Sequence, residues 1–335
     1  MKQGKGTNKM KKLMVALLAG ALTLAASGAS YAQDKLTLQL KWVTQAQFAG
    51  YIVAKSKGFY TEENLDITIL PGGPNVAPEQ VIAGGGADII VAWMGGALTA
   101  REKGVPLVNI AQPYKRSGLM MICPTETGIK TEADFPDHTL GVWFFGNEYP
   151  FFAWMNKLGL ATDGSAGGVT VLQQSFDIQP MIQKQADCIS VMTYNEYGQA
   201  LDAGYGPENL TIFNYSQMGN DLLEDGLYVM EDTLADPAKV DAYTRFVKAS
   251  MQGWAYALEN PEEAAQIVVD SDDTGAAELA HQLYMVGEVS KLVDATDPAL
   301  DIAVYDRTVK ALLDQKIITA EPSGAYTTVV TDALK

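Results

Sequence analysis

The chain has 335 residues, a length for one large or two medium domains, and sets 24 Lys and Arg against 40 Asp and Glu for a net charge of −16. So acidic a balance repels phosphate backbones and anionic lipid, which removes nucleic acid and membrane surfaces from the expected partners. Its two cysteines and two histidines (Cys123, Cys188, His138, His281) lack partners at ligand spacing, so neither a metal site nor a zinc fold is expected.

Met1 to Lys12 carries five lysines and no acid, Leu13 to Ala26 is apolar, and Ser30-Tyr31-Ala32 places small residues at the −3 and −1 positions of a cleavage site. That order reads as a secretory signal peptide over residues 1–32, cut after Ala32. Its apolar run is too short for a stable anchor across a bilayer. Loss of the five lysines takes the net charge from −16 to −21. Export leads to an oxidising compartment, where an isolated cysteine pair is expected to form a disulfide, Cys123 to Cys188. The two would meet if the strands that carry them are antiparallel neighbours.

Beyond the leader, strands and helices alternate. The segments Leu36–Trp42, Leu65–Leu70, Ala87–Trp93 and Pro106–Gln112 read as strands, separated by helices at Phe48–Lys57, Pro78–Gly85 and Ala97–Lys103. This repeating unit predicts a largely parallel, helix-covered sheet. The polar Tyr114–Gly118 then reads as a crossover. Four more strands follow at Gly118–Pro124, Thr139–Phe145, Gly168–Gln174 and Asp187–Tyr194, with helices near Phe151–Leu158 and Gln179–Gln185. Asp225–Met230 reads as a returning strand, and the remainder as helix. Val240, Tyr243, Val247, Met251, Trp254 and Leu258 recur at steps of three and four, a buried stripe that makes Trp254 a core residue.

The reading is therefore α/β with two lobes, residues 33–116 and 225–335 forming the first and 117–224 inserted as the second. A ligand cleft is expected where strand ends of both lobes converge. The glycine run at Gly84–Gly86 is not followed by Lys-Ser or Lys-Thr, so it is a turn and not a nucleotide loop.

The stretches LKWVTQAQFAGYIVAKSKGFYTEENLDI, GGGADIIVAWMGGALTAREKGVPLVNIAQ and GIKTEADFPDHTLGVWFFGNEYPFFAWMNKLGL resemble the periplasmic substrate-binding proteins of ABC importers. The branch is the one that holds nitrate, sulfonate and taurine binders beside thiamine-pyrimidine-precursor and riboflavin binders. That resemblance implies a type II periplasmic binding fold, each lobe a mixed sheet flanked by helices, in a monomer that works in the periplasm. It implies membrane permease and ATPase subunits as partners, a small ligand, and no cofactor.

By the same resemblance the ligand is lined by four turns. They hold Trp42, Gln45 and Gln47; Trp93 and Met94; Asn147, Glu148 and Tyr149; and Thr193, Tyr194, Asn195 and Glu196. Rings at these places suit a flat ligand, because stacking adds about 1 kcal/mol per face. Amides and carboxylates beside them suit the donor and acceptor edge of a nitrogen heterocycle. A thiamine-precursor pyrimidine is the first expectation and riboflavin the second. Glu148 would repel the anion of a sulfonate or taurine binder, which makes that branch the alternative. Glu148 could instead be a charge that suits a helix start, and Asn195 a helix cap. Trp143, Phe151, Phe152 and Trp154 are expected to pack the core.

An enzyme is the other class. A cytoplasmic relative of this fold makes the thiamine pyrimidine from its own histidine and pyridoxal phosphate, with a Schiff-base lysine and a cysteine-rich segment. Here both histidines stand outside the expected cleft turns and no cysteine cluster exists. Ser-His-Asp order and HExxH are absent too. A binder is expected, not an enzyme.

Overall fold

The computed structural model describes Met1, residues 32–220 and residues 222–335. The expected signal peptide, apart from its first and last residues, lies outside them. Asp34–Lys335 forms one compact unit built on two five-stranded sheets. In chain order the strands are β1 (Asp34–Gln39), β2 (Leu65–Leu70), β3 (Ile89–Ala92), β4 (Leu107–Ala111), β5 (Leu119–Pro124), β6 (Thr139–Val142), β7 (Thr170–Gln173), β8 (Cys188–Met192), β9 (Leu210–Asn214) and β10 (Gly226–Met230).

The first sheet runs β2-β1-β3-β10-β4 and the second β7-β6-β8-β5-β9. Each is mixed. β1 pairs in parallel with β2 and β3, as strand-helix-strand units require, while β10 is antiparallel to β3 and β4. The second sheet repeats this plan, with β5 antiparallel to β8 and β9. The largely parallel sheet expected from the sequence holds for four of the five strands in each sheet, with one strand reversed. The strands that begin or follow a passage between sheets, β5 and β10, arrive from the opposite end and run against their neighbours. β9, at the edge of the second sheet, is a strand that the sequence reading did not anticipate.

Helices cover both sheets. Ala49–Ser56 lies against the 23-residue helix Pro237–Glu259 so closely that a Cβ on Gly253 would stand 2.0 Å from the Gly50 carbonyl oxygen. Only glycine permits that approach. Trp254 packs beneath it, fully buried and edge-on to Tyr51 and Tyr114 at 5.7 and 5.9 Å. In the second sheet's core the same part falls to Trp154, which meets Phe135, Phe213 and Tyr215 at 5.1, 5.7 and 5.0 Å. β5 and β8 bring Cys123 opposite Cys188, and the two are bonded, with 4.2 Å between their Cα atoms and 65 residues of separation.

Two passages link the sheets, β4 to β5 and β9 to β10. Glu224, in the second passage, accepts hydrogen bonds from the Ser117 hydroxyl and, at 3.2 Å, from the Gly118 amide in the first. Its carboxyl is fully buried, which pushes its pKa up to about 8. Among the described residues no helix is long and apolar enough to cross a membrane.

Candidate ligand-binding cleft

Where the C-terminal ends of β1 and β3 face those of β6 and β8, eleven residues enclose a cavity of about 20 Å³. They are Lys41, Trp42, Gln45, Gln47, Trp93, Trp143, Asn147, Met192, Tyr194, Asn195 and Glu196. That volume suffices for a single water and falls far short of the several hundred Å³ of an occupied small-molecule site. The conformation is closed on itself. Trp42, beyond β1, and Trp143, beyond β6, meet edge to face at 5.8 Å and fill the space between the sheets.

A chain of polar groups crosses the same space. The Trp93 indole donates to Asp225 Oδ1 at 3.0 Å, and Gln47 donates to Asp225 Oδ2 at 2.6 Å. Gln45 donates to Gln47 at 2.8 Å and accepts from Asn195 at 3.3 Å, the longest link and the one that joins the two sheets' sides. Asn195 also donates to Glu196 at 2.7 Å, and the second Glu196 oxygen accepts from the Met192 amide at 2.9 Å. His281 lies 2.8 Å from Asn195 Oδ1. That oxygen can only accept, so the imidazole Nε2 carries the hydrogen, and burial lowers the ring's pKa toward the neutral form.

Burial dominates the electrostatics. It pushes the Glu196 carboxyl up to about 7 and that of Asp225 up to about 6. For Asp225 the Gln47 hydrogen bond and the charge of Lys41 oppose the rise. Lys41 is itself buried. Its ammonium donates to the Phe145 carbonyl at 2.6 Å and stands 3.9 Å from Glu79. Phe145 reaches that lysine through a left-handed backbone, φ 60°, unusual for a bulky residue. Lys41 thus spans from one sheet's side to the other, as the Gln45–Asn195 bond does.

Eight of the twelve residues expected at the cleft line it: Trp42, Gln45, Gln47, Trp93, Asn147, Tyr194, Asn195 and Glu196. The other four stand elsewhere. Met94 is buried with Leu98, Leu222 and Leu223, because the helix Met94–Glu102 turns it away. Thr193 is spent on backbone bonds, its amide donating to Gly118 O at 2.8 Å and its carbonyl accepting from Tyr284 at 2.7 Å. Glu148 and Tyr149 face a neighbouring chamber. Glu148 does sit at the start of the helix Tyr149–Leu158, yet its carboxylate accepts from the Gly146 amide at 2.8 Å and caps nothing. Asn195 precedes the helix Glu196–Asp202 without capping it by its side chain.

Sequence reasoning passed over Lys41, Met192 and Asp225 and favoured the core for Trp143. Trp143 is buried, with its indole donating to Ser175 O at 2.7 Å, but it also forms a wall of the cleft. β6 ends at Val142, so strand alternation does not govern the next residue. Gln39 and Lys41 stand at the polar positions of an alternating strand, which read as its solvated face, and both prove buried.

The comparisons with known proteins agree with this architecture. The formylaminopyrimidine-binding protein of Halalkalibacterium halodurans is 23% identical over 78% of this chain and 79% of its own. The riboflavin-binding protein RibY of Chloroflexus aurantiacus is 26% identical over 69% of this chain and 64% of its own. Among solved structures, the alkanesulfonate-binding protein SsuA of Xanthomonas axonopodis superposes with a TM-score of 0.65 at 14% identity, covering 90% of this chain and all of that one. The two-lobe fold is that of periplasmic binding proteins. Residues 45–264 match the family described as NMT1/THI5 like, and the chain belongs to that family.

Proposed function

We propose that the chain is a solute-binding protein of the periplasm that captures a small aromatic nitrogen heterocycle between its lobes and delivers it to the permease and ATPase of an ABC importer. A thiamine-precursor pyrimidine is the first choice and riboflavin the second. The observation that carries this reading is the pairing of three indoles and Tyr194 with an unbroken chain of amides and carboxylates in one closed space. Rings of that kind stack on a flat ligand, and the edge groups supply both donors and acceptors to it. The names of the pyrimidine- and riboflavin-binding relatives support the same class.

In this reading Trp42 and Trp143 part when the lobes open, and the ring enters between them. The Gln45–Asn195 contact, at 3.3 Å, is the bond that a ligand edge would replace. Closure then follows from contacts that the ligand makes with both lobes at once. A monomer suffices for this mechanism, and export follows from the lysine-rich leader. The sulfonate alternative has less support, since Lys41 is committed to Phe145 and Glu79 while Asp225 and Glu196 add negative charge. Calorimetry with the hydroxymethyl aminopyrimidine of thiamine, riboflavin and ethanesulfonate tests the reading. Binding of either heterocycle and not the sulfonate upholds it; the reverse pattern restores the anion binder. Pyridoxal absorbance in the purified chain would instead point to an enzyme.

A further inference from the structure

The polar chain across the cleft runs in one direction, and Asp225 sets it. The side-chain amides of Gln45, Gln47 and Asn195 can each turn either their carbonyl or their NH2 toward a given neighbour, whereas the groups at the first end of the chain have no such choice. The Trp93 indole only donates, and it donates to Asp225 Oδ1 at 3.0 Å. An ionised carboxylate only accepts, so at Oδ2, 2.6 Å away, Gln47 presents its NH2. The Gln47 carbonyl is thereby turned to Gln45, whose NH2 reaches it at 2.8 Å. That leaves the Gln45 carbonyl oxygen facing Asn195, whose NH2 donates to it at 3.3 Å.

The far end agrees with this direction. Asn195 also donates to Glu196 Oε1 at 2.7 Å, and its own carbonyl faces His281 Nε2 at 2.8 Å and Gln199 Nε2 at 3.3 Å. Gln45, Gln47, Asn195 and Asp225 are all buried. Turning one amide alone would set carbonyl against carbonyl or NH2 against NH2 where water cannot repair the mismatch. The backbone of the turn is pinned as well. Tyr114 donates to Gln47 O at 2.7 Å, and the Ala46 amide donates at 2.8 Å to Gln282, on the helix Leu279–Val289 that carries His281. The longest link, Gln45 to Asn195, therefore has an acceptor on one side and a donor on the other.

We propose that Asp225, which does not line the cavity, determines the specificity of the cleft: by fixing the direction of the amides it makes the gap between Gln45 and Asn195 select a ring edge with a donor beside an acceptor. An amino group beside a ring nitrogen has that edge, and so has an N–H beside a carbonyl. The proposal rests on the reading of the cleft given above. The donor of the edge meets the Gln45 carbonyl, and the acceptor meets the Asn195 NH2. An edge of two acceptors would leave the Gln45 oxygen against another lone pair, and a buried oxygen without a donor is costly. His281 is a positioning residue, holding the Asn195 amide once Gln45 has let go of it.

The test compares two probes by calorimetry of the full chain at about pH 8, where the Asp225 carboxyl, raised by burial to about 6, is ionised. The hydroxymethyl aminopyrimidine carries an amino group beside a ring nitrogen. Its methoxy counterpart keeps the ring nitrogen and has an ether oxygen in place of the amino group. The parent is expected to prefer the amino compound by about tenfold or more. Asp225→Asn keeps an acceptor for Trp93 but turns an NH2 to Gln47, which reverses Gln47 and Gln45 and leaves two donors at the gap. That variant should prefer the methoxy compound, a reversal that a mere loss of stability does not produce. Asparagine tolerates the positive φ of 25° at this position, as aspartate does. A parent that binds both compounds without the preference, or a folded variant that keeps it, overturns the proposal. Should the variant fail to fold, the ring nitrogen shifts of His281 in the parent decide. The parent's preference together with hydrogen on Nε2 upholds the proposal, and hydrogen on Nδ1 alone overturns it, because Asn195 would then be donating to the ring. If the parent binds neither compound, the reading of the cleft itself has failed, and the selection falls with it.

Discussion

Five tryptophans divide between two regions of this molecule, and the division separates what holds the lobes together from what the lobes are for. Trp154 and Trp254 are fully buried among other rings, one in each sheet's core. Trp42, Trp93 and Trp143 are nearly as buried, yet their neighbours are a 20 Å³ gap and a set of amides and carboxylates. Trp93 is anchored by the Asp225 carboxylate, which it shares with Gln47 of the cleft. Exposure alone does not distinguish the two groups; what distinguishes them is whether the facing surface belongs to the same sheet or to the opposite one.

The strongest way to break this contrast is Trp154→Ala. Its ring fills the space between Phe135, Phe213 and Tyr215, and its indole donates to Glu132 at 2.6 Å. Removal should cost about 3 to 5 kcal/mol of stability, read from melting or denaturant curves, with heterocycle affinity of the folded fraction unchanged. Trp42→Ala should do the reverse. Its partner Trp143 lies across the cleft, so the stability loss is smaller, and calorimetry should show affinity falling by about tenfold. Equal losses of stability in both variants, with affinity kept in both, would erase the distinction between the regions.

A smaller effect tests the passage that joins them. The pKa of Glu224 is about 8 in the fold against an ordinary value of 4.5, so the folded chain binds the proton more tightly than the unfolded one. Its contribution is full below about pH 4.5 and is lost as pH rises through about 8. Glu196 and Asp225, pushed up to about 7 and about 6, act with the same sign. The melting temperature should therefore decline from pH 5 to pH 8.5, and Glu224→Gln should flatten that slope. A slope unchanged in the variant would remove Glu224 from the account.

Much of this was legible in the residues. The alternation of strands and helices, the return at Asp225–Met230 and the buried stripe around Trp254 follow from periodicity, a signal that burial imposes on the chain itself. β9 escaped because Leu210–Asn214 is an edge strand in which buried Leu210 and Phe213 are separated by half-buried residues, without clean alternation. The cleft was legible at the turns and not beyond them. Asp225 opens the returning strand in the sequence reading, and nothing local reveals that Gln47 and Trp93 converge on it from 178 and 132 residues away. Lys41 is similar. A lysine beside a strand end reads as solvated until the opposite lobe's Phe145 covers it.

The most direct test is tryptophan emission during titration with the hydroxymethyl aminopyrimidine, in a chain carrying Trp154→Phe and Trp254→Phe, where only the three cleft indoles report. The account predicts a saturable change in emission, with the same midpoint as the heat of binding and nearly the whole signal change of the parent chain. Heat of binding with no change in emission would contradict it, because the ligand would then sit away from the cleft that Trp42, Trp93 and Trp143 enclose.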